Sequence, residues 1–320
     1  MANDISQTDQ AHFQTSLTSG RRRWHTGLVP LYVPFLFLLP AFILLIVFRY
    51  YPTISAIYHS FTIWDIPKPG EVVGLQNYQA LLSDPVFLQS VSNILRYTVG
   101  RTLLTITMAF IGAELVYNLK SIPWRNFWRL AFTVPMVIPN TVDLLIWQQI
   151  YAGRQGLLNE FLVGIGFLER AYPWIGRPDT ALWALVFIGF PVISGFGFLI
   201  ILAALQNLPD EVNDAALIDG CTRLRRIFAI DLPAIRGPLA LILILSLNGG
   251  LQQFAPMLVV TQGGPVNSTM SPGYYLFTQG FTYGKHGYAS AIGTVLMLMT
   301  LVLSILILQA RYRRAYDVAI

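Results

Sequence analysis

The amino-acid sequence predicts an all-α membrane protein with six transmembrane helices and both termini in the cytoplasm. Three observations predict it. Of 320 residues, 54% are hydrophobic and only 12% charged, where a soluble domain carries about 25% charged residues. Six apolar stretches approach or reach the roughly 17–25 residues that cross a bilayer. Lys and Arg are concentrated in alternate loops. This composition excludes an ordinary cytosolic enzyme and a disordered chain.

The stretches follow in order. The first runs from Leu31 to about Phe48, the second from about Tyr97 to Tyr117, and the third from Leu130 to Tyr151. The fourth covers Ala181 to Leu205, the fifth Leu239 to Val260, and the sixth Tyr288 to Leu308. Residues 1–30 are polar and read as a cytoplasmic tail, residues 31–310 as the membrane domain, and residues 311–320 as a second cytoplasmic tail. Arg21–Arg23 precede an apolar run, as in a leader. No small-residue cleavage site follows before Pro52, so the run reads as a retained first span.

Loop charge gives the orientation. One set of flanks holds Arg21, Arg22, Arg23, Lys120, Arg125, Arg129, Arg223, Arg225, Arg226, Arg236, Arg311, Arg313 and Arg314, thirteen in all. The alternate loops hold five: Lys68, Arg154, Arg170, Arg177 and Lys285. The richer side is the cytoplasm. The asymmetry also accounts for the net charge of +5 without invoking nucleic acid. The single cysteine, Cys221, excludes an intramolecular disulfide. On the outer side, Tyr58, Phe61, Trp64, Tyr78, Tyr172 and Trp174 suit either headgroup anchors or a cap on which a partner lands.

The loop between the fourth and fifth stretches, residues 206–236, is the most informative. Pro209 suits a first helical turn, and Asp210 and Glu211 suit the positive end of a helix dipole. Gly220 is a natural left-handed stop. A short helix of about three turns is expected there, followed by an amphipathic piece ending at Pro233. Between Asp210 and Gly220 stand four acids and no base. An anionic leaflet repels such a face, so docking to a cytoplasmic partner through Ala215, Ala216 and the neighbouring Val212, Leu217 and Ile218 fits better than lying on lipid.

This segment resembles the "EAA" loop of permease subunits of bacterial ATP-binding-cassette (ABC) importers. Asp214-Ala215-Ala216, Asp219-Gly220-Cys221 and Leu232-Pro233 match that pattern, with Asp in place of Glu at 214 and Cys in place of Ala at 221. Val73-Gly74-Leu75-Gln76-Asn77-Tyr78, Gly156-Leu157-Leu158-Asn159, Thr261-Gln262-Gly263-Gly264-Pro265 and Gly287-Tyr288-Ala289-Ser290-Ala291 resemble further family stretches in the same order. The chain is similar to the first permease of carbohydrate importers of the maltose and glycerol-phosphate type. The resemblance implies a type I ABC importer permease fold in the bacterial cytoplasmic membrane. It implies a second homologous permease, two ATPase subunits, an external solute-binding protein and a carbohydrate substrate as partners, beside the lipid bilayer. Asp214, Ala215, Ala216, Asp219 and Gly220 would couple to the ATPase. No Gly-x-x-x-x-Gly-Lys-Ser/Thr is present, so no cofactor is expected in this chain, and ATP with its magnesium belongs to the ATPase.

Polar residues at membrane depth are the candidates for the substrate path. Asp143 lies within the third stretch. Arg96 and Arg101 are expected at the outer end of the second, with Glu114 near its inner end. The fifth stretch reads Ser246-Leu247-Asn248-Gly249-Gly250-Leu251-Gln252-Gln253-Phe254-Ala255-Pro256. Such an irregular polar run either lines a cavity or packs against other helices. By the resemblance, Ser246, Gly249, Gly250 and Gln253 match substrate-facing positions, with Asn248, Gln252 and Phe254 adjacent; Gly189 and Phe190 match on the fourth. Amides, hydroxyls and an aromatic ring suit a sugar. The same architecture importing glycerol 3-phosphate or another polyol phosphate is the alternative, and would want Arg at depth. A lone carrier would show acid relays or an internal repeat, and neither is seen. The four histidines, His12, His25, His59 and His286, are scattered, so an enzyme is not expected.

Overall fold

The structure is a computed structural model that describes residues 32–65, 70–193 and 195–317. The expected first tail, Arg21–Arg23, Leu31, Lys68 and the last three residues lie outside the described residues. The chain divides into two compact units, residues 1–54 and 55–320.

In the first unit, helix α1 (Tyr32–Leu45) continues through a π-helical turn (Ile46–Tyr50) into α2 (Tyr51–His59), which crosses the unit boundary. Residues 35–59 form one run of helix long and apolar enough to span a bilayer. The apolar side chains of α1 point to every side, as suits a helix surrounded by lipid.

The second unit starts with a short hairpin, β1 (Thr62–Ile63) and β2 (Glu71–Val72), and helix α3 (Gln76–Ser83). The central element is α4 (Pro85–Tyr117), 33 residues and therefore about 50 Å long. Hydropathy alone placed the start of this span at Tyr97. The helix begins twelve residues earlier because Asp84 caps it, accepting from the N–H groups of Val86 and Phe87 at 2.9 and 3.3 Å, with Pro85 in the first turn. Its polar first turns are satisfied by a neighbouring loop: Asn93 donates to the carbonyls of Asn267 and Met270.

Three further apolar stretches are interrupted. Helix α5 (Ile122–Thr133) runs through a 3₁₀ turn and is bent by 94° from α6 (Asn140–Ile150). Pro135 and Pro139 remove backbone donors there. After α7 (Leu157–Gly164), the fourth stretch divides into α8 (Ala181–Val186) and α9 (Gly195–Gln206), with Gly189 left-handed at φ +84° in the gap. Helices α10 (Asp210–Ile218) and α11 (Arg223–Ala234) follow, and α11 is bent by 71° from α12 (Arg236–Leu251). The second piece of the loop thus runs through Pro233 by one residue. The fifth stretch loses regular helix after Leu251 and resumes as a π turn over Met257–Thr261. Helices α13 (Pro272–Phe277) and α14 (His286–Asp317) complete the chain, and α14 continues well into the segment expected as a tail. Among the described residues, three helices can cross a membrane alone, and up to five spans result if each bent pair counts as one.

All three apolar cores are built on α4. Near its start, Phe87 packs with Leu81, Met270, Tyr275 and Ile292. At its middle, Ile94 and Tyr97 meet Leu144, Leu185 and Met257. Toward its end, Ala109, Ala113 and Val116 meet Phe198, Ile201, Leu205 and Ile242. Small residues let the helices close up: a Cβ on Gly197 of α9 would lie 3.2 Å from the Ala109 methyl.

Candidate functional site

Two places gather the sequence candidates. The first is the α10–α11 hairpin at the C-terminal end of α4. Asp210 and Glu211 occupy the first turn of α10. At its other end Cys221 N–H bonds to Ala216 O at 2.9 Å and Gly220 N–H to Leu217 O at 3.1 Å, with Gly220 at φ +64°. This is a glycine-terminated Schellman stop. Asp214, Ala215, Asp219 and Gly220 are exposed, whereas Ala216 is turned inward and buried. Leu217 and Ile218 are 73% and 85% exposed, and Leu224 and Phe228 of α11 are also exposed. The surface of α10 is therefore apolar with an acidic border, and α11 adds the exposed Arg223 and Arg225.

Both arms of the hairpin are fastened to α4. Asn213 donates to the Tyr117 hydroxyl at 3.0 Å. Arg226 donates to Asp231 at 3.1 Å and to Asn118 at 3.0 Å, and its guanidinium lies 5.5 Å from the centre of the Tyr117 ring. Asn118 in turn donates to the Glu114 carboxylate at 3.1 Å. Asp231 is fully buried and Glu114 nearly so, and each keeps one oxygen without a partner. The sequence gives little warning of this network. Arg226 and Asp231 are five residues apart, on different faces of a regular α-helix. The π turn over Ile227–Asp231 shifts the register and brings them together.

The second place is a cavity of about 330 Å³ among the broken helices. Asp143, Gly189 and Phe190 all line it, together with Arg101, Thr105 and Trp147. Asp143 sits in the first turn of α6, where the Pro139 break turns the chain. Arg101 is not at the outer end of its span. It is the seventeenth of the 33 residues of α4, because the helix starts before the apolar stretch does. Its guanidinium donates to the carbonyls of Val186 and Ile188, which the break after α8 leaves without helical partners. An intramembrane arginine was the available signal for this position; its carbonyl partners come from a segment 85 residues away.

None of the fifth-stretch candidates lines this cavity. Gly250 faces α4 so closely that a Cβ would lie 2.7 Å from the Thr98 methyl. Asn248 accepts from Ser304 of α14 at 3.1 Å. Ser246 and Gln253 are half-buried, and Gln252 and Phe254 are exposed. The structure thus brings three of the nine path candidates together and leaves six on the neighbouring α12 and the turn after it.

Comparison with known proteins fits this architecture. Residues 86–318 match the family described as binding-protein-dependent transport system inner membrane component. The probable ABC transporter permease protein YurN of Bacillus subtilis is 31% identical over 275 residues, covering 86% of this chain and 94% of that protein. The arabinooligosaccharides transport system permease protein AraP of the same organism is 32% identical, covering 86% and 87%. The diacetylchitobiose uptake system permease protein NgcF of Streptomyces coelicolor is 31% identical, covering 82% and 77%. Among solved structures, a bacterial ABC transporter involved in the import of the acidic polysaccharide alginate has the same fold (TM-score 0.78, 20% identity, 88% of this chain and 96% of that chain). The chain belongs to the binding-protein-dependent transport system inner membrane components, the non-enzymatic permease subunits of ABC transporters.

Proposed function

We propose that this chain forms half of the translocation path of an ATP-driven importer for a sugar or oligosaccharide delivered by an external binding protein. It pairs with a second, homologous permease, and two ATPase subunits dock beneath. It crosses the bacterial cytoplasmic membrane six times with both termini inside. The observation that carries this reading is the hairpin. An acid-bordered apolar surface, with Asp214, Ala215, Asp219 and Gly220 on it and Ala216 packed behind it, is fastened by Asn213 and Arg226 to the longest helix of the fold. A pull on α10 is thereby delivered to α4, which also carries Arg101 and one wall of the membrane cavity. ATP and magnesium act on the ATPase. The contribution of this chain is to convert the approach of two docked hairpins into a change of access at the midplane.

Carbohydrate is favoured as substrate by relatives named for arabinooligosaccharides and diacetylchitobiose. In the proposed path, Asp143, Gly189 and Phe190 contribute from the cavity. Ser246, Asn248, Gly250, Gln252, Gln253 and Phe254 contribute from the α12 side. Arg101 is engaged by backbone carbonyls, which disfavours the phosphorylated-polyol reading that wanted a cation at depth.

The test is affinity purification of the tagged chain from its native membrane. A second permease and an ATPase are expected in fixed ratio, and Leu217→Asp with Ile218→Asp is expected to lose the ATPase while keeping the second permease. Recovery of the chain without an ATPase, or an unchanged yield of ATPase with the double variant, would refute the docking assignment.

A further inference from the structure

A further cavity of the second unit, about 450 Å³, is not part of the proposed path. It lies at the N-terminal end of α4, the end opposite the α10–α11 hairpin. Its wall is built from β1 and Asp65 after it, α3, α13, the π turn that follows (Thr278–Thr282) and the start of α14. The volume falls within the range of small-molecule sites.

Its chemistry is organised around one carboxylate. Asp84 accepts from the Tyr275 hydroxyl at 2.5 Å and from the Tyr288 hydroxyl at 2.7 Å through one oxygen. Its other oxygen accepts from the cap N–H groups of Val86 and Phe87. This bonding fixes two phenol rings at 89° to each other, with centroids 6.5 Å apart. Gln279 lines the same cavity. It is 7% exposed, and its Oε1 has no hydrogen-bond partner. A buried amide oxygen without a donor costs about 1–3 kcal/mol, so a donor brought by a ligand is stabilised there. Asp65 and Lys285 are exposed at the rim, and neither forms an ion pair among the described residues.

We infer that this cavity is a second carbohydrate site, holding one sugar ring against the two phenol faces with a ring hydroxyl donated to Gln279 Oε1. Asp65, Asp84 and the Gln279 amide oxygen line the cavity as acceptors, which suits a ligand rich in hydroxyl groups. Aromatic faces beside fixed acceptors suit the apolar face and polar edge of a pyranose or furanose. An anion is disfavoured by the carboxylates of Asp84 and Asp65. Given the orientation proposed above, the cavity opens outward, about 50 Å of α4 away from the motor. A site there would hold the sugar before it enters the membrane. The inference goes beyond the proposed path and does not need that path to be correct.

The test is saturation-transfer NMR and equilibrium dialysis on the intact importer in nanodiscs, without ATP or binding protein. The probes are D-glucose, L-arabinose and N-acetyl-D-glucosamine at millimolar concentration. At least one is expected to bind. Gln279→Leu is expected to weaken that binding about tenfold without lowering the unfolding temperature, because the leucine also removes the stranded oxygen. Tyr288→Phe serves as a second variant and is expected to weaken it less. Glu160→Gln, exposed on α7 and away from both cavities, is expected to leave it unchanged. Absence of binding by all three sugars overturns the inference. So does Gln279→Leu binding as wild type, or an equal loss of binding in Glu160→Gln. Sugar binding that depends on Gln279 in a complex that transports no sugar would sink the proposed function and leave this site standing.

Discussion

Replacing Arg226 with Met tests whether the hairpin is anchored by a buried ionic network. The guanidinium makes hydrogen bonds of 3.1 and 3.0 Å to Asp231 and Asn118 and lies over the Tyr117 ring. Met keeps much of the apolar stem and loses every donor. Asp231, which is 0% exposed and already has one oxygen unpartnered, then loses its only side-chain partner among the described residues. Breaking a buried pair from one side costs about 3–5 kcal/mol, chiefly from the stranded charge. The Arg226 side chain is 20% exposed, so water relieves part of this, and the lower end, about 3 kcal/mol, is expected. Removing the charge as well, in Arg226→Met with Asp231→Asn, should leave a cost of about 1 kcal/mol for the lost hydrogen bonds. The double variant should therefore be about 2 kcal/mol more stable than Arg226→Met alone. The assay is a double-mutant cycle on thermal or denaturant unfolding of the purified complex, with sugar-stimulated ATP hydrolysis measured alongside. The single variant should hydrolyse ATP with poor coupling to uptake, and the double variant should regain coupling. A single-variant cost below about 1 kcal/mol, or no recovery on adding Asp231→Asn, would refute the anchoring argument.

Gly220→Val is expected to destabilise α10 by roughly 1–3 kcal/mol and to weaken ATPase recovery, because the residue sits at φ +64°. No atom lies within 4 Å of an added Cβ, so the penalty is conformational and Gly220→Asn should be milder; equal ATPase recovery by the glycine, asparagine and valine forms would contradict this. Gln253→Ala is expected to lower uptake or change sugar preference while complex assembly is retained, as measured by uptake kinetics across a sugar panel. Asp84 gives a pH prediction. Burial pushes its carboxyl upward, but bonds from the Tyr275 and Tyr288 hydroxyls and from two backbone N–H groups outweigh that and hold it below the ordinary carboxylate range. A depressed folded-state pKa contributes stability that is complete above the unfolded value of about 3.9 and is lost as pH falls through the folded value. The difference in unfolding temperature between wild type and Asp84→Asn should therefore be constant at neutral pH and shrink below about pH 4.

By itself the sequence determined the membrane class, the apolar stretches, the acidic helix after Pro209 and its stop at Gly220. These rest on local physics: the cost of polar groups in lipid, the helix dipole, and the freedom of one glycine at positive φ. Only the tertiary structure decided where the spans bend, that α4 starts at Pro85, and that Arg101 belongs at mid-helix. Breaks at Pro139 and Gly189 leave backbone groups whose partners come from distant segments, and hydropathy carries no information about which segment supplies them. The division of the path candidates is of the same kind. Gly250 and Asn248 read equally well as cavity lining or as packing until the Thr98 methyl and the Ser304 hydroxyl are found against them. The link from Arg226 to Asp231 depends on a π turn, and a periodicity of 3.6 residues points those two side chains apart.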